Sequence, residues 1–167
     1  MKNQIYQTAD VQKTSATTVE VLRSFKAPKD LVFKTFTEPS LIKRWMLGPP
    51  GWDMPVCEMD LKEGGKYRWR WKNKSNGQEF GFFGVYRQVV VPQKITNTQT
   101  FDPGSVGGSM GKECLVTVTF SEANGQTTVT TEIEYQSSAD LEMALSTGMT
   151  DGMEMSYQAL DALIENL

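Results

Sequence analysis

The chain contains no histidine among its 167 residues. That absence excludes a Ser-His-Asp triad, a Cys-His dyad, His-ligated zinc and haem held by a proximal His. There are two cysteines, Cys57 and Cys114, too few for a disulfide framework or a Cys-rich zinc site. Both fall on apolar parities and read as small buried hydrophobes rather than reactive thiols. No run approaches the ~20 apolar residues that a membrane span needs. Met1 to Ala16 is polar and lacks the apolar stretch of a signal peptide, so a cytoplasmic location without membrane insertion is expected. The 17 basic and 20 acidic residues leave a net charge of −3, which weighs against a general polyanion binder. What is present, 39% hydrophobic and 22% charged residues, fits one ordinary globular domain. At this length about 70% of the chain's surface is buried on folding, enough for a core without staples.

Residues 1–16 have few apolar anchors and read as a flexible leader to a single domain over 17–167. Thr17 to Phe25 reads as a strand, with Val19, Val21 and Phe25 on one parity. Ala27-Pro28-Lys29-Asp30 opens a helix whose apolar face is Leu31, Val32, Phe33 and Phe36. A second short helix, Ser40 to Trp45, ends before Gly48-Pro49-Pro50-Gly51. From Asp53 to Tyr135 the period is two, predicting strands near 54–61, 66–73, 78–91, 93–101, 113–121 and 126–135. In Lys66-Tyr67-Arg68-Trp69-Arg70-Trp71-Lys72 the odd positions are aromatic and the even positions basic, so one face is buried and the other wet. After Ser137 the period becomes helical. Met149, Met153, Tyr157, Leu160, Ile164 and Leu167 share one face of a long helix, which Gly148 and Gly152 allow to bend.

Five segments, in order, resemble the SRPBCC (START-like) superfamily, and within it the branch of activators of heat-shock protein 90 ATPase. They are Leu22 to Phe33 around Ala27-Pro28, Thr37-Glu38-Pro39 to Trp45, and Asp60 to Gly65. Gly84-Val85-Tyr86 with Val91-Pro92, and Thr147 to Met153, complete the set. Met153 stands where the resembling proteins carry Trp. The resemblance implies an α+β helix-grip (START-like) fold. Its curved antiparallel sheet of about seven strands wraps a long C-terminal helix, with two short helices after strand one and a hydrophobic cavity under the long helix.

On that fold, Trp45, Trp52, Tyr67, Trp69, Trp71, Phe82 and Tyr86 are expected to converge on the cavity, with Met153 and Tyr157 facing them from the helix. They form a ligand-binding set for a small hydrophobic or aromatic molecule; the bland reading is core packing. Asn97 and Gln99 place two amides on the parity of Ile95 and Phe101, and buried amides need partners. The basic face Lys66, Arg68, Arg70 and Lys72 reads as a solvated sheet face rather than a nucleic-acid stripe. Gly104 to Lys112 mimics a phosphate loop but lacks its Gly spacing and its following helix. Glu58 and Asp60 alternate with apolar residues and face water. No catalytic residue, metal or cofactor is assigned. The superfamily is functionally mixed, so three readings stand: a ligand-binding domain, a chaperone-interaction module, and a polyketide cyclase-like enzyme using Tyr67, Tyr86 or Tyr157 as hydroxyl donors. A homodimer remains open.

Overall fold

The computed structural model describes residues 4–167. Its elements run β1 (Asp10–Lys13), β2 (Thr18–Phe25), α1 (Lys29–Thr37), α2 (Pro39–Trp45), β3 (Trp52–Met59), β4 (Lys66–Asn73), β5 (Glu79–Val90), β6 (Lys94–Asp102), β7 (Cys114–Ala123), β8 (Gln126–Glu134), α3 (Ser138–Ser146) and α4 (Met149–Glu165). The strands form one antiparallel sheet in the order β1-β2-β8-β7-β6-β5-β4-β3. Strands β3 to β8 are a meander, and β2 joins it beside β8. The pair α1–α2 carries the chain from β2 to the far edge at β3.

This is the α+β helix-grip arrangement, with eight strands rather than about seven. The added strand is β1, which corrects the leader expectation over Asp10–Lys13. Its polar sequence hides the strand because an edge strand is held by backbone bonds and needs no apolar face. It pairs with β2 from Asp10↔Leu22 to Lys13↔Val19. Further back, the Tyr6 N–H donates to Ser24 Oγ and Tyr6 O accepts from Ser24 N–H. Of the expected leader, residues 1–3 lie outside the described residues.

The long helix is two helices. Ser137 caps α3 by accepting from Asp140 N–H at 3.1 Å. Gly148, at φ 78°, takes a left-handed turn that a side chain would resist, and the chain restarts as α4. Tyr157, Leu160 and Leu163 are the buried residues of α4. Leu163 holds the inward place expected of Leu167, which lies beyond the helix and is 52% exposed.

Along β2 the inward positions are Val19, Val21, Arg23 and Phe25, all buried. Arg23 is an ionised group in the middle of an apolar face. Its Nε and Nη2 donate to Glu154 at 3.0 and 3.2 Å, and its Nη1 and Nη2 donate to Asp161 at 3.2 and 2.7 Å. Nη1 also reaches Ser24 O at 3.0 Å, and the guanidinium lies 5.1 Å from the Phe25 ring centre. Glu154 and Asp161 are two turns apart on α4, so one arginine ties the helix to the sheet along its length. Burial opposes the charge on Arg23, but its hydrogen bonds to Asp161 and Glu154 outweigh that and raise its pKa. Burial likewise works against ionised Glu154, whose pKa is lowered by the bonds from Arg23 and from the Ala9 N–H.

Removing one partner of a buried ion pair leaves an uncompensated charge. Arg23→Ala is therefore expected to destabilise by about 3–5 kcal/mol in urea melts. Arg23→Lys, with a point charge in place of the fork, should recover only part of that. A loss under about 1 kcal/mol for Arg23→Ala would show that the clamp does not hold α4.

Candidate functional site

The inward face of β3 to β6 carries the expected aromatic set in two groups. Trp71, buried, donates from Nε1 to Met46 O at 2.7 Å and stacks on Phe80 at 5.4 Å. Trp52 meets Phe80 edge-on at 5.1 Å, and Phe82 meets Trp71 at 5.9 Å and Phe101 at 5.5 Å. With Ile42, Met54 and Cys57 they form a core patch under α2. Trp45 belongs to the main core, donating from Nε1 to Thr35 O at 2.8 Å and stacking on Tyr157 at 6.3 Å. Phe25 closes on the other side of Tyr157 at 5.5 Å. These side chains satisfy one another.

Tyr67, Trp69, Tyr86 and Asn97 form a different group. Tyr67 on β4 crosses over Gly84 of β5 and donates from Oη to Thr98 O on β6 at 2.6 Å. A Cβ at position 84 would fall 2.0 Å from Thr98 O and 2.8 Å from the Tyr67 ring, so only glycine allows this crossing. Asn97 Nδ2 donates to Tyr67 Oη and to Thr98 O, both at 3.0 Å. Thus one of the two expected amides finds its partners inside the fold, while Gln99 is half-buried on the same strand. Trp69 and Tyr86 flank Tyr67, with ring centres 4.9 and 5.3 Å from it. Trp69 Nε1 and Tyr86 Oη are both buried and have no hydrogen-bond partner among the described residues.

Met46 at the end of α2, Met59 after Cys57 on β3, Leu61, Trp69 and Met153 on α4 all pack on the main core while only partly buried. Met46, Met59 and Leu61 were not among the expected lining residues. The apolar parity of Met59 and Leu61 was visible, but that they share one core with Met153 of α4 depends on the tertiary fold.

Burial pushes the phenols of Tyr67 and Tyr86 well above the ordinary tyrosine value. The Asn97 hydrogen bond pulls Tyr67 partway back, and Cys57 and Asp60 push Tyr86 further. Tyr157 is raised by burial as well. These hydroxyls keep their protons at neutral pH and act as hydrogen-bonding groups. Burial also pushes the thiols of Cys57 and Cys114 up to about 11, which makes them inert. Among the described residues, no group of three or more His, Cys, Asp or Glu is placed to hold a metal ion. No described helix is long and apolar enough to cross a membrane.

The opposite face of the sheet is wet, with one correction. Arg68 is exposed as expected, but Arg70 is largely covered. Its Nη1 donates to Asp102 at 2.9 Å and its Nε lies 3.8 Å from Glu79. Arg70 pairs with Gly81 and Gly81 with Asp102, so no side chain stands between the arginine and that acid. Two open depressions of about 400 and about 490 Å³ lie on this face, sharing Thr98 and Glu113. Phe83 and Leu115 in their floors are 40% and 37% exposed.

A curved sheet gripping a C-terminal helix, with polar atoms left over on its concave side, defines a helix-grip domain. Residues 26–165 match the family described as activator of Hsp90 ATPase homolog 1-like protein. The chain belongs to this family, within the SRPBCC superfamily. No curated protein matches the sequence. Among solved structures, a protein from Rhodobacter sphaeroides is 24% identical with a TM-score of 0.88, over 96% of this chain and 99% of its own. One from Mycobacterium smegmatis is 21% identical at TM-score 0.80, over 95% and 98%. The AHSA1 protein from Silicibacter pomeroyi is 21% identical at TM-score 0.67, over 89% and 97%. At these identities the likeness is one of fold.

The two tyrosines should respond oppositely to loss of the hydroxyl. Tyr67→Phe leaves buried acceptors short of a donor and is expected to cost about 1–3 kcal/mol. Tyr86→Phe removes a buried group without a protein partner, so stability should match or exceed wild type. Thermal melts of both variants check this; equal losses would mean that Tyr86 Oη is paired in the folded protein.

Proposed function

We propose that this domain binds a small, largely apolar ligand on the concave side of the sheet, between β4–β5 and α4. The observation that carries the reading is the pair of buried, unpartnered polar atoms, Trp69 Nε1 and Tyr86 Oη, in a core against which Met59, Leu61 and Met153 pack while only partly buried. A buried polar group without a partner is disfavoured by about 1–3 kcal/mol, and a ligand's polar atoms offset that penalty. The apolar side chains around it supply the contact area, and the methionines adapt to different shapes. Of the expected lining set, the proposal keeps Trp69, Tyr86 and Met153, with Tyr67 and Asn97 paired to each other as their support and Gln99 left out. Trp45, Trp52, Trp71, Phe82 and Tyr157 serve as the packed walls behind them.

A screen of lipids and aromatic small molecules by thermal shift and native mass spectrometry tests the reading directly. Met153→Trp sharpens it. At a ligand site the indole takes ligand space, so the melting temperature should hold or rise while any ligand from the screen binds more weakly. In close-packed core the same change should cost about 1–3 kcal/mol through overpacking. That loss, found by calorimetry, would remove Met153 from the site.

The family supports a second reading, an interaction module for the chaperone heat-shock protein 90. Exposed Phe83 and Leu115 on the outer sheet face, among Arg68, Arg87, Glu113 and Glu134, suit a protein partner better than a small molecule. Pull-down and ATPase assays with the chaperone should then respond to Phe83→Asp and not to Met153→Trp. No binding and no stimulation by the wild-type chain would end this reading.

A further inference from the structure

The two unpartnered atoms ask for the same thing. The indole Nε1–H of Trp69 can only donate a hydrogen bond. Tyr86 Oη, with its proton retained by burial, is a second donor, although a hydroxyl can also accept. The third polar group there, Tyr67 Oη, already donates to Thr98 O and accepts from Asn97. The unmet need is therefore for an acceptor.

Charge narrows the class. The buried cation on this side of the sheet is Arg23, and Glu154, Asp161 and Ser24 O engage its N–H groups. Asp60, whose charge reaches Tyr86, has the same sign as a carboxylate ligand. The Cys57 thiol, which also faces Tyr86, is buried and stays neutral. Lys43 acts on Cys57 but is itself exposed on α2. A ligand anion here would lose its hydration and gain no buried cation, which is strongly unfavourable. A neutral oxygen acceptor loses far less on entry.

We infer that the ligand's polar end is an uncharged hydrogen-bond acceptor of the carbonyl class, held by Trp69 Nε1–H and Tyr86 Oη–H, on an apolar body packed against Met59, Leu61 and Met153. Ketones, esters and amides fit; free fatty acids and other carboxylates do not. This rests on the ligand-binding reading above and names its substrate class.

Three probes of one shape separate the possibilities: 2-acetonaphthone, 2-ethylnaphthalene and 2-naphthoate, each titrated into the full chain at pH 7 by calorimetry. The ketone should bind about tenfold more tightly than the hydrocarbon, the factor that one net hydrogen bond provides. The carboxylate should bind more weakly than the ketone by at least that factor. In amide NMR spectra, the Trp69 indole N–H, assigned by its loss in Trp69→Phe, should move downfield with the ketone and not with the hydrocarbon. Tyr86→Phe should reduce the preference for the ketone over the hydrocarbon, which keeps the test usable if Trp69→Phe fails to fold. Equal binding of ketone and hydrocarbon, or carboxylate binding as tight as the ketone's, overturns the carbonyl assignment and leaves ligand binding in place. No binding by any probe at millimolar concentration overturns both.

Discussion

The grip of the sheet on its helix depends on Arg23. An arginine 2% exposed in the middle of β2 would be intolerable alone. Glu154 and Asp161 make it tolerable, and because they sit on α4 the helix has one placement that satisfies the charge. Apolar contacts from Leu160 and Leu163 would permit sliding, since the hydrophobic effect has no direction. Hydrogen bonds from a planar fork to two carboxylates do not permit it. The Ala9 N–H donates to Glu154 as well, so the segment before β1 is drawn into the same arrangement.

With α4 fixed in this way, the interior divides. Near β2, β7 and β8, Phe25, Phe33, Phe120, Val129 and Tyr157 close on one another around Trp45. Near β3 to β5, Tyr67, Trp69 and Tyr86 pack on one another, and Met59, Leu61 and Met153 border the same core while only partly buried. There the protein leaves two polar atoms without partners. Tyr67 separates the two halves. Its route over Gly84 to Thr98 locks three strands together, and its own hydroxyl is satisfied by Thr98 O and Asn97. The contrast between satisfied Tyr67 and unsatisfied Trp69 and Tyr86, neighbours on one sheet face, distinguishes a structural residue from a candidate binding residue more clearly than burial does.

Much of this was legible along the chain. The parity of Tyr67, Trp69 and Trp71 set the inward face of β4, and the pattern of Thr128 to Tyr135 did the same for β8. Pro28 marked the start of α1, and α2, expected from Ser40, begins one residue earlier at Pro39. The site was legible only as a list. Trp71 shares residue type and strand parity with Trp69, and Trp45 shares its type, yet their indole N–H groups reach Met46 O and Thr35 O, carbonyls supplied by the end of α2 and by α1. The strand β1 was hidden because backbone pairing leaves no apolar period. Arg23 stands on the parity of Val19, Val21 and Phe25, a signal available in the sequence; its acidic partners, 131 and 138 residues away, were not.

The sequence by itself determined the order of the elements from β2 to β8, the inward faces of β2 and β4, and the family. Those follow from local periodicity and from short motifs, which act over a few residues. Tertiary structure decided which buried polar atoms found partners. That outcome depends on distances of about 3 Å between residues remote in the chain, and no periodicity encodes it. The packed aromatics and the unpartnered ones are alike in type and parity, and only the placement of α1, α2 and α4 over the sheet separates them.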